Sequence, residues 1–126
     1  MEQAKETILF VDDEDYLAEV GKEMLEDYGY VVDIETDPVN AHAIFEKDPD
    51  KYDLLITDYT MPGMNGEELA GKLHALRRDL PVILCSGTRL DPSIKEGSGA
   101  FKVLLKPFDM DMLLTVVRET LDAGLS

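Results

Sequence analysis

The stretch LLITDYTMPGMNG, residues 54–66, joins a short apolar run, Leu54 to Ile56, to an acid at Asp58. Three similar runs stand elsewhere: Ile8 to Val11, Val82 to Cys85 and Val103 to Leu105. Runs this short and this apolar read as strands buried on both faces. Val31 to Thr36 alternates better and reads as an edge strand. Helical spacing fills the gaps: Leu17, Val20, Met24, Leu25 and Tyr28 fall on one helix face. Asp37-Pro38 is a start signal, a cap followed by proline at the first helical position, for a helix to about Lys47. Leu69, Leu73 and Leu76 group on a third helix. A last one runs from about Met110 to Leu121 after the cap Asp109, with Met110, Leu113, Leu114, Val117 and Leu121 inward. Strands alternating with helices predict parallel pairing through right-handed crossovers, a doubly wound α/β sandwich. The segment Gly87 to Ala100 carries a proline and several glycines and serines, which predicts a short or irregular fourth helix there.

The chain has 126 residues, the size of one compact domain, and we expect a single domain over 1–126 with no appended effector domain. Its apolar runs of about four residues fall far short of the roughly 20 that cross a bilayer. The N-terminal MEQAKET lacks a signal peptide's apolar stretch, and one cysteine cannot form an internal disulfide; both fit a cytoplasmic protein with no membrane insertion. Twenty-seven acidic against twelve basic residues give a net charge of −15, which disfavours direct nucleic-acid binding.

In an open parallel sheet, ligands bind outside the carboxyl ends of the strands. Strand one ends in Asp12-Asp13, strand three in Asp58, strand four in Ser86-Gly87 and strand five in Lys106-Pro107. Carboxylates converging there repel: two unit charges about 5 Å apart cost roughly 3 kcal/mol at an effective dielectric of about 20. A hard divalent cation with oxygen ligands offsets this, and Mg2+ suits the set better than zinc. His42 and His74 sit within predicted helices and Cys85 precedes a strand end, so they make no zinc site. Lys106 adds a cation and Ser86 a hydroxyl around a carboxylate nucleophile, a set that matches phosphoryl transfer. Each residue alone has a plainer reading: Asp12 or Asp13 as a helix cap, Lys106 as a surface lysine, Ser86 as a strand end. Their placement at the ends of four different strands favours the joint reading.

The motifs FVDDE, ITDYTMPGMNG, LCSG and LLKPF resemble those of CheY-like response-regulator receivers of two-component signalling, across essentially the whole chain. The wording of DYTMPGMNG and LCSG is also similar to receivers of hybrid sensor histidine kinases. The resemblance implies a five-stranded flavodoxin-like sheet of order 2-1-3-4-5 with helices on both faces. It implies that Asp58 accepts a phosphoryl group from the histidine of a histidine kinase or a histidine phosphotransfer domain, and that Asp12, Asp13, Asp58 and the Thr60 backbone carbonyl hold Mg2+. Lys106 and Ser86 would contact the phosphoryl oxygens, with a cis Lys106-Pro107 bond. Such a domain is not a conventional enzyme; it catalyses its own phosphorylation and slow dephosphorylation, with Thr60 and Thr88 at the mouth of the site modulating the rates. Val103 departs from the pattern, standing where many receivers carry an aromatic switch residue.

Three other readings fit less well: the first, a phosphorylation-independent interaction module with a receiver fold that has lost its chemistry, is disfavoured because all five expected polar residues are present. A haloacid dehalogenase-type phosphatase expects a second aspartate two residues after the nucleophile, where this chain has Thr60. A nucleotide-binding Rossmann domain expects glycines where this chain has Asp12-Asp13-Glu14.

Overall fold

The computed structural model describes residues 6–90 and 101–124. Its elements run β1 (Thr7–Val11), α1 (Asp15–Glu26), β2 (Val31–Glu35), α2 (Pro38–Lys47), β3 (Leu54–Asp58), α3 (Gly66–Leu76), β4 (Val82–Ser86), β5 (Phe101–Leu105) and α4 (Met110–Gly124). All strand pairs are parallel, and the sheet order is β2-β1-β3-β4-β5. The irregular fourth helix expected over 87–100 lies mostly outside the described residues.

Alternation along each strand sends neighbours to opposite faces. Ile8 and Phe10 of β1 join Ala18, Leu25, Leu113 and Val117 beneath α1 and α4. Leu9 and Val11 join Ala41, Phe45, Leu69 and Leu73 beneath α2 and α3. Two apolar layers thus clamp a sheet whose central strands carry almost no polar side chains.

Helix starts follow local chemistry. The Asp37 carboxylate accepts the Val39 N–H at 2.9 Å, with Pro38 in the first turn. Asn65 and Glu68 form a reciprocal capping box, and Asp109 accepts the Met112 N–H. Helix α1 begins at Glu14 without a side-chain cap.

Three expectations need correction. The buried face of α1 is Ala18, Gly21 and Leu25; Leu17 is exposed, and Tyr28 lies beyond the helix and is exposed too. Small residues make the contact because the Phe10 ring lies where a side chain at 21 would stand, 2.6 Å from an ideal Cβ. On α3, Leu76 is exposed, and its buried face is completed by Ala70 and His74. Val103 to Leu105 is not buried on both faces: β5 is an edge strand in which only Leu104 is buried.

Candidate functional site

Strand order reverses at β1: β2 lies on one side of it, β3 on the other. The crevice at such a reversal is where an open α/β sheet places its ligands. Asp12 follows β1 and Asp58 ends β3, so they flank it from adjacent strands. Backbone hydrogen bonds fix both ends. Asp12 N–H donates to the Glu35 carbonyl at 3.1 Å, Tyr59 N–H to Cys85 at 2.8 Å, and Lys106 N–H to Ser86 at 2.7 Å. Each continues the sheet's pattern past the last strand residue, so the site's side chains project from rigid backbone.

Helix α3 reaches the same place through Gly66. Its N–H donates to the Tyr59 carbonyl at 2.8 Å, and a Cβ there would stand 2.5 Å from the Asp58 carbonyl oxygen. Only glycine permits that approach. This requirement was missed in the sequence, although a glycine opening a helix beside a candidate acid was its signal.

The structure brings Asp12, Asp13 and Asp58 together, with one carboxylate oxygen of each within 4.8 Å of the others. Asp12 is buried, Asp58 half-buried and Asp13 exposed. Lys106 Nζ lies 3.0 Å from Asp58 Oδ1 and 4.0 Å from Asp12 Oδ2. Burial pushes the Asp12 carboxyl above its ordinary value, and the Asp58 charge adds to this against the Glu14 N–H and Lys106. For Lys106, burial would lower the ammonium's pKa, but hydrogen bonding to Asp58 and the two carboxylate charges outweigh it and raise it. One ammonium against three carboxylates leaves the cluster electron-rich. All-oxygen donors at this spacing are of the kind a hard divalent cation takes.

Neither Asp12 nor Asp13 serves as the first cap of α1; Asp12 Oδ1 instead accepts the Glu14 N–H at 3.0 Å, tightening the turn. Ser86 ends β4 as expected, but its hydroxyl is engaged locally. It donates to the Thr88 carbonyl at 2.7 Å and accepts the Thr88 N–H at 3.1 Å. Thr60 and Thr88 are both exposed in the loops after β3 and β4. Val103 is exposed on β5, on the strand face that Phe101 shares by alternation. The Lys106-Pro107 peptide is cis.

The remaining soft ligands are packed structurally. His74 is buried with Nε2 2.8 Å from the Leu80 carbonyl, and burial pushes the Cys85 thiol up to about 12. Among the described residues no helix is long and apolar enough to cross a membrane.

Comparison with known proteins agrees with this geometry. Residues 8–118 match the response regulator receiver domain family. Response regulator RppA of Synechocystis sp. is 37% identical over 113 residues, 88% of this chain and 48% of that protein. Sensor kinase CckA of Brucella abortus is 32% identical over 118 residues, 92% of this chain and 12% of that protein. The crystal structure of a response regulator receiver domain protein from Clostridium thermocellum superimposes with a TM-score of 0.85 at 28% identity, covering 93% of this chain and 94% of that one. The chain spans about half or less of the length of these two curated relatives. It belongs to the response regulator receiver domain family.

Proposed function

We propose, for this member of the receiver family, that Asp58 accepts a phosphoryl group from the histidine of a histidine kinase or histidine phosphotransfer domain in a Mg2+-dependent reaction. The domain occupies residues 1–126 and works in the cytoplasm. The observation that carries this reading is the Lys106 ammonium 3.0 Å from Asp58 Oδ1, inside a cluster of three carboxylates at the strand ends.

An Asp58 oxygen attacks phosphorus in line with the departing imidazole nitrogen, leaving an aspartyl phosphate. Lys106 is already placed to meet the charge carried by the phosphoryl oxygens. The Ser86 hydroxyl can donate a second bond once it leaves the Thr88 carbonyl. Asp12, Asp13, Asp58 and the Thr60 carbonyl would hold Mg2+, which neutralises carboxylate and phosphoryl charge when bound. Thr60 and Thr88 control how water approaches the acyl phosphate and so its lifetime. Thr60 stands where a haloacid dehalogenase-type phosphatase carries its second aspartate, which argues against multiple turnover of phosphate esters; the domain catalyses its own phosphorylation and slow dephosphorylation.

Intact mass after incubation with acetyl phosphate and Mg2+ tests the assignment. The parent gains one phosphoryl mass, removable by hydroxylamine, and Asp58→Asn gains none. A hydroxylamine-sensitive adduct persisting in Asp58→Asn overturns it.

A further inference from the structure

A trough of about 520 Å3 runs between α1 and the connection from β5 into α4, with Leu17, Val20 and Met24 on one side and Phe108 and Leu113 on the other. Its origin is the close seating of α1 at Gly21. The Phe10 ring occupies the space beneath Gly21, and while Leu25 enters the core, Leu17 is exposed and Val20 and Met24 are only half-buried beside it. The trough's size falls in the range of small-molecule sites, and its lining is of their kind: predominantly apolar with a few polar groups. Here the charged members are Asp12 and Lys106, both belonging to the phosphoacceptor cluster.

An apolar channel with ionic groups at one end selects an amphiphile. The head must suit Lys106 and a carboxylate set fit for a divalent cation, which calls for a dianionic phosphoryl group. The tail must be aliphatic, because the walls offer it hydrocarbon and almost no hydrogen-bonding partner. Resting on the assignment of Asp58 as phosphoacceptor, we propose that acyl phosphates with a medium-length aliphatic chain are preferred small-molecule phosphodonors of this domain. The chain would lie in the trough while the phosphoryl group meets Lys106. The phosphorus–oxygen bond to the acyl group breaks, a bond from Asp58 Oδ to phosphorus forms, and the carboxylate departs with the electron pair. Charge and atoms balance without a proton or a redox partner.

The rate of Asp58 phosphorylation is measured by intact mass at equal, subsaturating concentrations of acetyl, butyryl, hexanoyl and octanoyl phosphate. A fully buried methylene is worth about fourfold, and a trough open along one side about half of that factor. We expect octanoyl phosphate to exceed acetyl phosphate between about tenfold and a hundredfold. Octylphosphonate, which cannot transfer its phosphorus, should shift the methyl NMR signals of Leu17, Val20, Met24 and Leu113 in the presence of Mg2+. Met24→Asp, and the milder surface change Leu17→Ser, should each lower the octanoyl-to-acetyl ratio. Equal rates along the series, or a ratio unchanged in both variants, overturns the proposal while leaving the Asp58 assignment intact. Shifts absent from the trough methyls overturn it as well. If no donor modifies Asp58, the assignment fails and this inference with it.

Discussion

Asp12→Asn separates the cost of the carboxylate cluster from its use. Without metal, oxygens of Asp13 and Asp58 lie within 4.8 Å of Asp12, and at an effective dielectric of about 20 each opposes its charge by about 3 kcal/mol. Asp13 is exposed, so solvent and salt screen most of its share. Lys106, 4.0 Å away, returns about 4 kcal/mol on the same scale, reduced because it also serves Asp58. Attraction and repulsion nearly cancel. Burial then decides the sign, since Asp12 is only 5% exposed. We expect the neutral amide to stabilise the metal-free domain by about 1–2 kcal/mol, or roughly 4–8 °C in Tm for a chain of this size. Asparagine keeps an oxygen to accept the Glu14 N–H, so the turn survives. With Mg2+ at ten times its Kd the parent gains about 1.4 kcal/mol by mass action, whereas the variant, short of one ligand, gains less, so the difference closes or reverses. The sign with pH follows from the raised Asp12 pKa. The ionised group's penalty is fully present above its folded value and absent below the ordinary value of 3.8. The variant's advantage should therefore fade as pH falls through that window. Thermal melts followed by circular dichroism, in chelator and in Mg2+, check all three statements. A variant no more stable than the parent in chelator would refute the electrostatic reasoning, as would equal stabilisation of both proteins by Mg2+.

Gly66→Ala should lower the denaturant midpoint by the equivalent of about 2 kcal/mol or more, because the new Cβ meets the Asp58 carbonyl at 2.5 Å and Leu84 Cδ2 at 2.9 Å; a parent-like midpoint would show that α3 can shift freely. Beryllofluoride with Mg2+ should move the Thr88 amide NMR signal strongly as Ser86 gives up its two bonds to that residue, and the same addition to Ser86→Ala should leave it nearly still; an equal shift in both proteins counts against Ser86 as the moving group.

The strands were legible because their runs are short, apolar and closed by polar residues, and the site was legible because Asp12, Asp58, Ser86 and Lys106 close four of them. What failed was the inference from hydrophobicity to burial within a helix. Leu17 and Val20 outrank Ala18 and Gly21 in apolar area, yet the small residues face the sheet, because Phe10 already fills the space between. Periodicity reports a helix's apolar side but not which edge of it the neighbouring ring occupies. Val103 to Leu105 misled for a related reason: an apolar run at the sheet's edge looks like a central one until the strand order is known. The engagement of Ser86 with Thr88 depends on the loop's path, which residue types two positions apart do not specify.

The same rigidity that positions the cluster limits how a phosphoryl group could be sensed. Asp12, Tyr59, Gly66 and Lys106 are all held by backbone hydrogen bonds of 2.7–3.1 Å, and displacing any of them breaks sheet or helix contacts. Side-chain torsions are the inexpensive motions left: Lys106 can slide from carboxylate to phosphoryl oxygen, and the Ser86 hydroxyl can rotate. Lys106 carries no loop with it, since its backbone stays on the ladder. Ser86 differs, because its hydroxyl both accepts from and donates to Thr88, so its rotation removes two bonds from the start of the segment after β4. Val103 cannot substitute for this as a gate: its branched side chain has one restricted torsion, and it already stands exposed. On the proposed reading, release of Thr88 is therefore the step that carries phosphorylation away from Asp58.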